Sequence, residues 1–142
     1  MSVDDPFDLQ RFVDAQDGGV HEQALGELRT GLKTSHWMWF VFPQVAGLGR
    51  SDMSVRYALS GVAEAAAYWA HPVLGARYDE CCRALLDLGP VSAVDVLGAV
   101  DAQKLHSSLT LFAEVATPSI TIEKLLVRHF DGERDPATTD LL

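Results

Sequence analysis

Lys33, Ser35, His36, Trp37, Trp39, Gln44, Gly47, Gly49, Arg50 and Ser51 fall within nineteen consecutive residues, around a run of six apolar residues from Trp37 to Phe42. A purely structural apolar segment has no need of so many polar neighbours. The chemistry they suggest is the handling of an anion. Glycines at 47 and 49 can present backbone N–H groups to a phosphate, with the start of a following helix behind them. Arg50, Lys33 and the Ser51 hydroxyl can complete the contact, and Trp37 or Trp39 can stack on a base or sugar face. His36 is the candidate catalytic residue, because an imidazole exchanges protons near neutral pH. The glycine spacing is neither that of a P-loop nor that of a dinucleotide fingerprint, and an ordinary interhelical turn explains it as well. His36 has the plainer alternative of a backbone-bonded residue at the start of an element.

A second polar cluster comprises Asp101, Lys104, Ser107, Ser108 and Thr110. Lys104 and Ser108 are candidates for the far side of the same pocket. Serine and lysine together can act as nucleophile and base. The simpler reading is an Asp101–Lys104 ion pair beside a small, buried Ser108. The five histidines have no metal-binding spacing, and neither a metal nor a cofactor is expected.

The 142 residues suffice for one domain with a real core, taken here as a single globular unit over 1–142. The net charge is −9, which argues against nucleic-acid binding. Arg29, Lys33, Arg50 and Arg56 against Asp52 give +3 between residues 29 and 56 and leave −12 for the rest. That local positive field can concentrate an anion; pairing with acidic helices is the alternative. Cys81 and Cys82 are adjacent, so helical geometry disfavours a disulfide between them. The acidic N-terminus is no secretory signal, and no apolar stretch is long enough to span a membrane. These features suggest a cytoplasmic protein.

Helical spacing dominates the chain. Asp5-Pro6 reads as a helix start, followed by Leu9, Phe12, Val13 and Gln16 on one face. Gln16 is either an edge residue or an inward amide. A second helix from Val20 to Lys33 has Ala24, Leu25, Leu28 and Leu32 inside, His21 and Glu22 solvated, and Gly26 as a point where another helix can approach. The tryptophan run reads either as a strand or as a short helix capped by Ser35 and ended by Pro43, and helix is preferred. Ser51 or Ser54 caps the next helix. Further helices carry Val62 to Trp69, Leu74 to Leu88 with Cys81 inward and Cys82 at the flank, Val91 to Leu97, Asp101 (as cap) to Ala116, and Ile122 to Phe130. The expected fold is mostly α, a compact bundle of about seven or eight helices.

Ser35-His-Trp-Met-Trp39, Phe42-Pro-Gln44, Gly47-Leu-Gly49, His71-Pro-Val-Leu-Gly75 and Lys104-Leu-His-Ser-Ser-Leu-Thr-Leu-Phe112 together resemble the bacterial family known as domain of unknown function 1810. The resemblance runs from about Asp5 to Leu142. It implies a small, mostly helical single-domain protein and supplies no catalytic residues.

Two functions fit these residues. One is a small-molecule-binding domain or enzyme acting on an anionic, nucleotide-like or phosphorylated ligand, with His36 as acid–base in a hydrolysis or group transfer. The other is a protein-interaction module that uses an apolar groove and its acidic surface to meet a basic partner. Neither a membrane nor a nucleic acid is an expected partner.

Overall fold

The computed structural model describes residues 4–117 and 119–142. It contains ten helices: α1 (Gln10–Gln16), α2 (Val20–Thr30), α3 (Met38–Val41), α4 (Asp52–Arg56), α5 (Val62–Ala70), α6 (Leu74–Asp87), α7 (Ala93–Leu97), α8 (Ala99–Ala113), α9 (Ile120–Phe130) and α10 (Pro136–Thr139). Six have seven residues or more; the others are single turns, which is why the count exceeds the expected seven or eight. No strand occurs among the described residues. One parallel bridge joins Val45 to Leu59 and ties the loop after α3 to the loop after α4.

Helix α6 is the hub, packing on α2, α5 and α9, while α8 packs on α5, α7, α9 and α10. Tyr78 of α6 links the two, with its ring centroid 4.2 Å from that of Phe112 and its hydroxyl 2.9 Å from that of Ser108. Edge-on aromatic contacts carry the core outward from there: Tyr68 to Phe12 at 5.1 Å and Phe42 to Tyr78 at 5.5 Å.

The α5–α6 corner is tight. His71 Nδ1 accepts the amides of Val73 and Leu74 and so caps α6. A Cβ on Gly75 would lie 2.0 Å from the Trp69 carbonyl oxygen, so only glycine lets the two helices meet there. Gly26 has nothing within 4 Å of a would-be Cβ, and no helix approaches it.

Several expectations at the start of the chain change. Helix α1 begins at Gln10 rather than Pro6, because Asp5 caps it across an intervening turn, accepting from the amides of Leu9 and Gln10 at 2.8 and 3.0 Å. Those amide bonds hold the Asp5 carboxyl below its usual range. Gln16 is an inward amide, donating to the Phe40 carbonyl at 2.7 Å and the Tyr68 hydroxyl at 3.2 Å. Leu32 lies beyond the end of α2 and is exposed, so it is not part of the inner face. His21 is buried rather than solvated, with Nε2 2.8 Å from Glu80. Cys82 is buried like Cys81, and both thiols are free.

Candidate functional site

The tryptophan run forms a single helical turn, α3, with Trp37 at its N-cap and Phe42 at its C-cap. Proline at 43 prevents continuation. Ser35 does not cap α3, because its hydroxyl is committed to Glu27. That carboxylate, on the last turn of α2, organises the loop. Oε1 accepts the amides of Thr34 (2.7 Å) and Ser35 (3.0 Å) and the indole N–H of Trp37 (3.0 Å). Oε2 accepts the Ser35 hydroxyl, and Gln23 donates to the same Ser35 oxygen at 2.6 Å. Burial works to raise the Glu27 pKa, but these donors outweigh it and bring it down to about 2.

Trp37 is wholly buried, which removes it as a stacking surface. Lys33 Nζ lies 5.1 Å from the centre of its ring and 2.9 Å from Asp101 Oδ2. Asp101 is not the cap of α8; it lies in the first turn, where a carboxylate is favoured by the helix dipole. Its other oxygen is 3.8 Å from Lys104 Nζ, which lies 5.2 Å from the centre of the Trp39 ring. Two ammonium groups thus share one carboxylate, each beside a tryptophan. Their side chains are 9% (Lys33) and 22% (Lys104) exposed.

Beyond Lys104 lies a crevice lined by Met38, Trp39, Phe42, Gln44, Ser54, Tyr57 and Lys104. Its volume is about 10 Å³, room for about one water molecule. The Gly47–Ser51 turn abuts it through Gly49, whose would-be Cβ falls 2.4 Å from Ser54 Cβ and 3.4 Å from Gln44 Nε2. The fold therefore brings Trp39, Gln44 and Lys104 to one small cleft, with Ser54 beside them, Gly49 behind Ser54 and Gln44, and Lys33 reached only through Asp101. Ser54 gives little sequence signal, being one serine among several near a helix start.

The remaining candidates lie elsewhere. The Ser51 hydroxyl accepts the Ser54 amide and donates to the Ser54 hydroxyl at 2.9 Å, so it is occupied as the cap of α4. That helix has only five residues and contributes a weak dipole. Gly47 is exposed with φ 104°, and the Leu141 side chain lies 3.3 Å from where a Cβ would be. Arg50 and His36 are exposed. Ser108 is fully buried against Tyr78 and lines no part of the crevice. Ser107 and Thr110 belong to another arrangement. Ser107 donates to Asp135 Oδ2 at 2.9 Å, and the Asp135 amide donates to the Thr110 hydroxyl at 2.9 Å. Burial tends to raise the Asp135 pKa, but hydrogen bonds from Thr138 and Ser107 bring it below its usual value.

Among the described residues no group of three or more His, Cys, Asp or Glu side chains could hold a metal ion. No helix there is long and apolar enough to cross a membrane.

The solved structure of the conserved hypothetical protein Rv1873 from Mycobacterium tuberculosis is similar over 97% of this chain and 98% of that one, at 44% identity and a TM-score of 0.94. No curated protein matches. The family described as "Protein of unknown function (DUF1810)" matches residues 6–142. With nearly its whole length matched, the chain belongs to the DUF1810 family.

Proposed function

We propose that the Trp39–Lys104 crevice binds an anionic small molecule, of the phosphorylated or nucleotide-like class. The observation that carries this reading is the sharing of Asp101 by Lys33 and Lys104. One carboxylate cannot neutralise two partly buried ammonium groups, and an incoming anion supplies the missing counter-charge. Lys104 is the contact group, since Lys33 is enclosed by Trp37 and Asp101. Trp39, half-buried beside Lys104, offers an aromatic surface, and Gln44 and Ser54 offer neutral donors across the cleft. A ligand enters by displacing the flexible Lys104 stem, because the closed cleft is too small for it. If turnover follows binding, His36 is the acid–base candidate, exposed on a loop whose neighbours Ser35 and Trp37 are fixed by Glu27. Two buried free thiols accord with a cytoplasmic setting.

The test is a thermal-shift screen with nucleotides, ADP-ribose, sugar phosphates and inorganic phosphate on wild type, Lys104→Ala and Trp39→Ala. A compound at about 100 times its Kd adds roughly 2.7 kcal/mol, a rise of several degrees. The reading requires a shift that both variants lose. A flat response across the panel, or shifts that both variants retain, would refute it.

A further inference from the structure

A groove of about 1150 Å³ opens where the end of α8 meets the outer face of α9. Its floor is Ala113, Ala116 and Ile122, all buried. Its edge is Ile120, 70% exposed, and Val127, 64% exposed. Those two residues lie seven positions apart with Lys124 between them, an outward stripe about 10 Å long on a helix whose opposite face is already packed. Nothing in the fold of α9 calls for two large aliphatic side chains on its solvent side.

The charge at this groove is opposite to that of the chain. Among the described residues five cations stand outside any ion pair: Arg29, Arg50, Arg56, Lys124 and Arg128. Lys124 and Arg128 both line the groove. The lining carboxylate, Glu123, is held by Arg134 at 2.7 Å. An otherwise acidic protein therefore presents two uncompensated cations beside an apolar trough. At physiological salt the Debye length is about 8 Å, so a docking segment senses chiefly the charges that line the groove.

We infer that this groove docks an acidic amphipathic helix of a partner protein. Apolar side chains at i, i+3 or i+4 and i+7 of such a helix span the distance from Ile120 to Val127. The alanine floor lets its backbone come close, and its flanking Glu or Asp side chains meet Lys124 and Arg128. The groove is built from α8, α9 and, between them, Ala116, Thr117 and Ser119. It shares no lining residue with the Trp39 crevice, so the two proposals stand or fall separately.

The test uses the full chain and fluorescein-labelled synthetic helical peptides, with Leu, Phe or Trp anchors and either Glu or Lys flanks, read by anisotropy. The inference requires the Glu-flanked peptides to bind at least about tenfold more tightly than their Lys-flanked twins. That preference should disappear in Lys124→Glu, and binding should fall in Ile120→Ser and in Val127→Ser. All three positions are exposed, and circular dichroism confirms folding of each variant. Equal binding of the two peptide sets overturns the inference, as does absence of binding by any Glu-flanked peptide at about 100 µM. Wild-type self-association in sedimentation velocity that Ile120→Ser abolishes also overturns it, in favour of a second copy as occupant. So does binding only to phosphatidylcholine–phosphatidylserine vesicles.

Discussion

The indole N–H of Trp37 donates to Glu27 Oε1 at 3.0 Å, joining the N-cap of α3 to the end of α2 inside the protein. One carboxylate thereby fixes the loop that precedes the tryptophan turn. Trp37 in turn gives Lys33 an aromatic wall, and Lys33 draws in Asp101 and Lys104. The network runs from α2 to α8 through residues that are far apart in sequence.

The Glu27 link makes stability acid-sensitive. Its folded pKa is about 2 against an ordinary 4.5, so the folded state holds the carboxylate charged more readily than the unfolded chain does. The stabilisation is complete above pH 4.5 and is lost as pH falls toward 2, an amount of about 3 kcal/mol. Asp135, also lowered, adds to the loss in the same direction. Urea unfolding from pH 7 to pH 2 should show this slope, and Glu27→Gln should flatten it while lowering stability at pH 7.

The shared carboxylate offers a probe of the lysine pair. Asp101→Asn leaves Lys33 and Lys104 without a counter-charge and should cost about 1–3 kcal/mol, less than a fully buried pair because both lysines keep some solvent. Inorganic phosphate should then raise the Tm of Asp101→Asn more than that of wild type. Equal shifts in the two proteins would mean that phosphate does not reach the ammonium groups.

Two glycines should respond oppositely to alanine. Gly75→Ala drives a Cβ against the Trp69 carbonyl and should destabilise by about 3 kcal/mol or more, since backbone cannot give way as a side chain can. Gly26→Ala, in open space on α2, should stabilise by about 0.5–1 kcal/mol through helix propensity. Denaturant midpoints of the two variants would check both signs.

The thiols should be inert. Burial pushes Cys81 up to about 12 and Cys82 well above its usual value, so neither forms thiolate near pH 8. Native protein should react with Ellman's reagent only as fast as it unfolds, and denatured protein should release both thiols at once. Rapid labelling of the native state would contradict the burial of α6.

The helical class, the long helices and their inward faces were legible in the sequence because a 3.6-residue apolar period survives any tertiary arrangement. Pro43 likewise acts on the local backbone and α3 ends before it as expected, and the helices expected to end at Leu88 and Phe130 end at Asp87 and Phe130, just before Gly89-Pro90 and at Asp131-Gly132. The one-turn helices were less clear, since four or five residues complete too little of the period to separate helix from strand.

The Asp101–Lys104 pair, one helical turn apart, was legible in the sequence, but side-chain partnerships between elements were decided by the tertiary structure. The sequence marked Ser35 as a cap and Asp101 as another, yet Glu27, reached as the loop after α2 folds back on it, claims the first, and Lys33, whose amide donates to the Val96 carbonyl of α7, claims the second. It marked Trp37 and Trp39 alike, and only the fold buries one and leaves the other beside Lys104. Glu27 and His21 stood out least, because a polar residue at a helical position reads as solvated until another helix covers it, and only packing decided between edge and interior for Gln16. Residue type and spacing set which groups can meet water or apolar core. Which polar group meets which depends on long-range packing, and a single chain's periodicity carries no record of that.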